Sequence, residues 1–158
     1  MIMRKLDNRN NWIKDSTVFE PTNAPSDTLS CLRTKGRRLS FFRCDSETSI
    51  AAVAAGLAAS RDVLQEIECA LIDELLLRPI GITLETVPGN TPSTIGNSLH
   101  IDAVSLTVQQ MSQLAAIMFH HASIRRISKT DIAIMISNGI TTGDIDRQIL
   151  KPSLSKSL

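Results

Sequence analysis

The sequence feature that most constrains the fold is a long apolar segment at residues 49–78, SIAAVAAGLAASRDVLQEIECALIDELLLR. Its first half is rich in alanine. In its second half Leu64, Ile67, Leu71 and Leu75 recur at helical spacing, with polar residues between them. This pattern predicts a long amphipathic α-helix that ends before the proline that follows it. The segment therefore indicates a chain that builds a substantial core.

A single helix of that span would be about 45 Å long, at about 1.5 Å per residue. Such a helix is long for a small domain, so a break at Gly56 or at Ser60 is the alternative. In the second case Ser60 caps a second helix, because serine is a favoured N-cap residue.

Alternating apolar and polar residues predict strands on both sides of this helix. Residues 37–44 form a first predicted strand, and residues 80–87 and 99–104 form a predicted hairpin. The loop between these two, PGNTPSTIGN, is either a binding loop or a flexible connection. A capping box then predicts a helix over residues 107–127.

These elements predict a single α+β domain with the order β-α-β-β-α-α-α, in which the first and second strands are parallel through a right-handed crossover. A mostly helical protein with one β-hairpin is the alternative. We expect the globular domain over residues 37–151, between an irregular N-terminal arm or wrap at 1–36 and a flexible tail at 152–158. Trp12 is expected to anchor the wrap, and the first ten residues are expected to be loose.

Composition bounds the class of protein. The chain has 158 residues, of which 42% are hydrophobic and 3% aromatic, so its core must be aliphatic. An odd number of cysteines without a CxxC spacing predicts reduced thiols rather than disulfides or a zinc site. We find no membrane span, no secretory signal and no cofactor motif, and we expect a soluble, cytoplasmic protein without a cofactor.

Charge is segregated along the chain. The net charge is +5 over residues 1–44, −7 over residues 45–104 and +3 over residues 122–158. The leading hypothesis is a non-catalytic, protein-binding accessory subunit of a bacterial-type cytosol, resembling immunity or antitoxin subunits in its role, with a homo-oligomer as a further expectation. The candidate partner-binding residues are the acids of the predicted helix and a basic stretch before it, namely Asp62, Glu66, Asp73, Arg37 and Arg38.

The first alternative is a nucleic-acid-binding module at residues 129–150. Ser128 and Thr141 each have the form of a helix cap, and Asn138-Gly139 between them predicts a turn, so the segment resembles a helix-turn-helix. Two aspartates on the second helix would repel phosphates, so an αα-hairpin that closes the core is the favoured interpretation. The candidate phosphate contacts are the cations Arg125, Arg126, Lys129, Arg147 and Lys151.

The second alternative is a metal-dependent hydrolase. His100 and Asp102 share one face of a predicted strand, and His120 lies on the following helix. Such a set could bind a divalent metal or orient a histidine base. No known ligand spacing supports it, and the favoured interpretation is one solvated histidine and one at the edge of the apolar face.

Two short segments fit the pattern that basic-directed serine kinases select, two arginines followed by any residue and a serine. They are Arg37-Arg38-Leu39-Ser40 and Arg125-Arg126-Ile127-Ser128. The pattern is common, and Ser128 is better explained as a helix N-cap.

Overall fold

The structure is a computed structural model, and it describes residues 1–7, 12, 28–29, 32, 34, 36–156 and 158. It has 47% helix and 24% strand, which confirms the predicted α+β fold class.

Six strands in the described part of the chain form one antiparallel sheet, with the order β4-β5-β2-β1-β3-β6. The strands are β1 (Ile2–Lys5), β2 (Leu39–Arg43), β3 (Ile67–Ile72), β4 (Thr83–Thr86), β5 (His100–Val104) and β6 (Ser123–Ile127). The predicted first and second strands correspond to β2 and β4. Because β5 lies between them in an antiparallel sheet, these two strands run parallel, as predicted, but they are not hydrogen-bonded neighbours.

Strand β1 corrects the expectation of a loose N-terminus for residues 2–5, whereas residues 8–10 of that expectation lie outside the described residues. Ile2 and Met3 have no exposed surface, and β1 pairs antiparallel with β3 in the register Ile2 to Ile72 and Lys5 to Cys69. A strand with a neighbour on each side satisfies its backbone groups on both edges, so these residues are held firmly in the sheet. Trp12 is buried, as predicted.

The named helices begin at side-chain caps, except for the last, which begins at Pro152 without one. They are α1 (Glu47–Ala59), α2 (Thr94–Ser98), α3 (Val108–His121), α4 (Lys129–Thr142) and α5 (Pro152–Ser155), with 3₁₀ helices at Glu74–Ile80 and Arg147–Ile149. The capping box predicted at Thr107 is confirmed, because its hydroxyl accepts the N–H of Gln110 while the Gln110 side chain accepts the N–H of Thr107. Among the described helices, none is long and apolar enough to cross a bilayer.

The predicted long helix over residues 49–78 is wrong beyond Ala59. Residues 67–72 form the buried strand β3, and Glu74–Ile80 is a 3₁₀ helix. Five of the six residues of β3 are buried, so the strand is apolar on both faces and lacks the alternation that identifies a half-buried strand. A short continuous apolar run cannot be distinguished from a helix by its periodicity alone.

Three further boundaries differ from the predictions. The predicted strand at residues 80–87 is reduced to Thr83–Thr86, and the predicted helix over 107–127 ends at His121, with β6 in place of its last turns. The expected flexible tail at 152–158 contains α5, where Leu154 is fully buried.

The predicted pair of short helices, favoured as an αα-hairpin with a helix-turn-helix as the alternative, is also wrong, since α4 runs through Asn138-Gly139 without a turn and ends at Gly143. Gly139 is needed there because a Cβ at this position would lie 2.9 Å from Cδ1 of the buried Ile145. The glycine lets the following segment fold back against the helix. Only a 3₁₀ turn, Arg147–Ile149, stands where a recognition helix would be required.

The contacts divide the chain into two compact units, and every strand except β1 contributes residues to both. The first unit comprises Met1–Phe41, Glu68–Glu85 and Asp102–Arg125. Within it, α3 packs against the 3₁₀ helix Glu74–Ile80, and the Gln110 side-chain amide donates to the carbonyls of Ile80 and Gly81.

The second unit comprises Phe42–Ile67, Thr86–Ile101 and Arg126–Leu158. In it α1 packs against α4 and α2. Its apolar core is aliphatic throughout and includes Ala54, Ala58, Ile67, Ile132, Ile136, Ile145, Leu150 and Leu154. A Cβ on Gly56 would lie 2.7 Å from Oγ1 of Thr91 and 2.8 Å from Cβ of Ser93, so only glycine allows α1 to approach that loop so closely.

Candidate binding cleft

A cleft of about 700 Å³ lies at the C-terminal end of α4 in the second unit. It is lined by Ile140, Gly143, Ile145, Asp146, Arg147 and Gln148. Its volume falls in the range of about 300–1,000 Å³ that is typical of binding clefts. Two isoleucines provide an apolar surface, and three exposed polar side chains provide charge and hydrogen bonding.

The turn that forms the cleft follows from the end of α4. Gly143 adopts a left-handed conformation with φ of 77° and ends the helix, as glycine commonly does. The N–H of Ile145 then donates to the carbonyl of Gly139 at 3.0 Å, which brings the chain back onto the helix. Because Ile145 is buried against Gly139, this turn is fixed by packing as well as by hydrogen bonds.

Asp144 is the central anchor of this turn. Its carboxylate is 7% exposed and accepts hydrogen bonds from the hydroxyls of Ser93 (2.6 Å) and Thr94 (2.9 Å) and from the N–H of Ile95 (2.7 Å). The carbonyl of Asp144 also accepts the N–H of Thr94 at 3.1 Å. A buried carboxylate with three donors is a satisfied group, so the cleft is built on a rigid support.

The loop that supplies these donors is itself ordered by side chains. Ser93 caps α2, its hydroxyl accepting the N–H of Gly96 at 2.8 Å, and Asn97 accepts the N–H of Thr91 at 2.7 Å. The PGNTPSTIGN segment thus contains the start of α2 and side-chain hydrogen bonds of its own. It holds the end of α4 in place.

The rim of the cleft combines charge with exposed apolar surface. Asp146 caps the 3₁₀ turn by accepting the N–H of Gln148 at 2.8 Å. Arg147 is exposed, and Ile149 at the end of the turn is 57% exposed. Arginine is enriched at the energetically important positions of protein interfaces.

The five candidate phosphate-contacting cations do not form one surface free of acids. Arg126 pairs with Glu66, with Nε donating to Oε2 at 2.8 Å, and Lys151 pairs with Asp62. Lys129 opens α4 and Arg125 lies in β6, whereas Arg147 lies at the cleft. The acids proposed for partner binding thus partly neutralise the cations proposed for nucleic acid.

The predicted acidic helix face does not exist as one surface element. Asp62 and Glu66 lie in the connection after α1, whereas Asp73 caps the 3₁₀ helix by accepting the N–H of Leu75 at 2.9 Å. Asp73 makes a local cap, whereas Asp62 and Glu66 form ion pairs with distant residues, and periodicity alone placed the three on one helix.

The basic stretch makes its own contacts in the first unit. The Arg37 guanidinium donates to the carbonyls of Ser105 (3.0 Å) and Leu106 (3.1 Å). Arg38 lies 3.6 Å from Asp102 and 3.7 Å from Glu85. The electrostatic partners of Arg38 are therefore on β4 and β5, and not among the acids at residues 62–74.

The three candidate metal ligands have separate environments. The Nδ1–H of His100 donates to the carbonyl of Val87 at 3.0 Å, Asp102 accepts the hydroxyl of Ser40 at 3.0 Å, and His120 packs edge-on against Phe119. Across the described residues, no group of three or more histidine, cysteine, aspartate or glutamate side chains is placed to hold a metal ion.

One titratable group in the sheet is strongly perturbed. Burial raises the pKa of the Cys69 thiol to about 11, although the nearby Arg125 opposes this effect. A neutral thiol with no exposed surface is a poor nucleophile, and Cys69 serves as a small apolar residue of β3.

Comparison with protein-family models, with curated proteins and with solved structures finds no match for this chain.

Proposed function

We propose that this chain is a non-catalytic protein-binding subunit, and that its partner docks at the cleft formed by the end of α4 and the turn Arg147–Ile149. The accessory, immunity or antitoxin-like role in a bacterial-type cytosol belongs to this proposal. The observation that carries it is a rigid cleft that combines an apolar surface with an exposed arginine and an exposed isoleucine.

Rigidity favours binding because a preformed site loses little conformational entropy on association. The Asp144 network fixes the turn before any partner arrives, so Arg147 and Ile149 project from an ordered backbone. The complementary partner segment would present a carboxylate to Arg147 and an apolar side chain to the isoleucines. This chemistry is that of an acidic, partly apolar protein segment.

The charge distribution favours a protein over a nucleic acid as the partner. Two of the five candidate cations already have acidic partners within the second unit, and Asp146 stands beside Arg147. Phosphate binding requires several cations that act together without nearby acids.

Affinity purification of the tagged full chain from its native cells tests this proposal. We expect one protein to be enriched by the wild type and to fall about tenfold with Arg147→Glu or Ile149→Asp, which corresponds to about 1.4 kcal/mol of binding free energy. Two matched controls lie in the first unit. Arg78→Glu changes an exposed arginine of the other 3₁₀ helix, and Val108→Asp changes a residue that is 89% exposed. Both should retain the partner.

The purified partner should then reproduce the same order of affinities in a direct titration. Enrichment that is insensitive to Arg147→Glu, or equally sensitive to Arg78→Glu, would contradict the proposal. Recovery of nucleic acid that is released steeply by salt would support the nucleic-acid alternative instead.

A further inference from the structure

The two kinase-like segments have the same sequence pattern but occupy different structural environments. We propose that Ser128 is a phosphorylation site for an ATP-dependent serine kinase that selects arginines two and three residues before the acceptor. The same structure excludes Ser40, the serine of the other segment, from this reaction in the folded chain. This inference is independent of the proposed binding cleft.

Ser40 is an exposed residue, but its backbone is held in the middle of the sheet. It lies in β2, which has β5 on one side and β1 on the other, so its backbone is already paired along both edges. Its hydroxyl donates to the Asp102 carboxylate at 3.0 Å, and that carboxylate is 7% exposed. A kinase would have to separate β2 from its neighbours to reach this hydroxyl.

Ser128 is on the surface and follows the terminal strand of the described sheet. Residues 123–127 form β6, and Ser128 continues the extended chain with φ of −66° and ψ of 160°. An acceptor segment of this kind can bind to another protein as an added strand. The pattern Arg-Arg-Ile-Ser is therefore presented in the extended form that such recognition requires.

Local unfolding of the residues directly after Ser128 requires little free energy. Lys129, Thr130 and Asp131 form the first turn of α4, and all three are exposed. The first buried residue of the helix is Ile132. Local opening of one exposed turn leaves the apolar contacts of α4 intact, so the acceptor can enter an active site without global unfolding.

Arg126, two residues before Ser128, can change its partner. Arg126 pairs with Glu66 through an exposed ion pair. Exposed pairs are weak because water screens both charges. Acidic groups in the kinase can therefore replace Glu66 at Arg126. The Ser128 hydroxyl itself donates to Asp131 Oδ2 at 2.7 Å, and this contact is lost when the first turn opens.

The reaction is a phosphoryl transfer from ATP. The Ser128 oxygen forms a bond to the γ-phosphorus, the bond from that phosphorus to the β,γ-bridging oxygen breaks, and ADP leaves. The hydroxyl proton passes to the carboxylate base of the kinase. The product carries a charge of about −1.5 to −2 at the N-terminus of a 14-residue helix, where the helix dipole favours negative charge.

The test uses the purified full chain, Mg²⁺, ATP and a purified serine kinase of this selectivity, with sites located by mass spectrometry. We expect incorporation at Ser128 to exceed incorporation at Ser40 by about tenfold or more, with the motif equally matched at both sites. The variant Ser128→Asn should remove nearly all incorporation while keeping the helix cap, because asparagine caps helices as well as serine does. Ser40→Ala should leave incorporation unchanged.

Two peptides, residues 34–44 and 122–132, separate sequence preference from structural access. Equal labelling of both peptides together with selective labelling of Ser128 in the folded chain supports the inference. It is overturned if the folded chain is labelled equally at Ser40, if Ser128→Asn retains the label, or if the folded chain stays unlabelled. Circular dichroism of Ser128→Asn confirms that α4 is retained.

Discussion

Replacing Asp144 by alanine removes the acceptor that joins the end of α4 to the Ser93–Ile95 loop. Three donors lose their common partner: the hydroxyls of Ser93 and Thr94 and the N–H of Ile95. The donors differ in whether they can form a replacement hydrogen bond with water. Thr94 is exposed and can turn to water, whereas Ser93 has no exposed surface.

The magnitude follows from this difference. A buried donor left without an acceptor costs about 1–3 kcal/mol, and hydrogen bonds to a charged acceptor are at the upper end of measured values. Ser93 is a buried donor left without its acceptor, and the N–H of Ile95 loses a hydrogen bond to a charged group, so we expect Asp144→Ala to lower the free energy of unfolding by about 3–5 kcal/mol. That is a large part of the total of about 5–15 kcal/mol expected for a domain.

Urea denaturation followed by far-UV circular dichroism measures this change. With a slope of about 1–3 kcal/mol per molar urea, the midpoint should fall by about 1–5 M. The matched control is Asp146→Ala, which removes an exposed carboxylate that caps only the N–H of Gln148 and should cost about 0.5–1 kcal/mol. The reasoning is refuted if the two variants lie within about 0.5 kcal/mol of each other, since burial would then make no difference.

Three further changes test the packing and the sheet. Gly56→Ala should destabilise the chain by about 1–3 kcal/mol in thermal unfolding, because overpacking against Thr91 outweighs the gain of about 1 kcal/mol in helix propensity. Ile2→Ala should cost about 2–5 kcal/mol in urea unfolding if β1 is a buried strand, and almost nothing if the N-terminus is loose. Burial raises the pKa of the Cys69 thiol from 9.0 to about 11 in the fold. The stability that the buried neutral thiol contributes is therefore fully present below pH 9.0 and is lost as the pH rises toward 11. We expect the urea midpoint of the wild type to fall more across this pH range than that of Cys69→Ala.

Elements defined by local chemistry were predictable from the sequence. The capping box at Thr107 set the start of α3 correctly, because its two hydrogen bonds join residues only three positions apart. The strands β2 and β5 were found from their alternation and turn signals. In each case the information that specifies the element lies within the element.

Strand β3 shows why a longer apolar segment was not predictable. Ile67 and Leu71 are four residues apart, which fits a helix face, but Ile67, Cys69 and Leu71 also fit one face of a strand. The choice depends on neighbours: β1 is far away in the sequence, and its pairing with β3 satisfies the backbone groups along one edge of the strand. Since the prediction treated the N-terminus as loose, nothing remained for residues 67–72 to pair with.

The candidate cleft could not be predicted from local sequence patterns either, because its key contacts join residues that are far apart in the sequence. Asp144 and its donors are separated by 49 to 51 positions, and no local spacing connects them. One local signal was present, since Gly143 after Thr142 is typical of a helix end. Interpreting Thr141-Thr142-Gly143-Asp144 as a cap that opens a helix reversed the role of the aspartate, which instead accepts donors from α2 and its cap. A buried aspartate directly after a helix-ending glycine therefore indicates an anchor between the helix end and a distant loop. The exposed residues that follow such an anchor are then candidates for a binding surface.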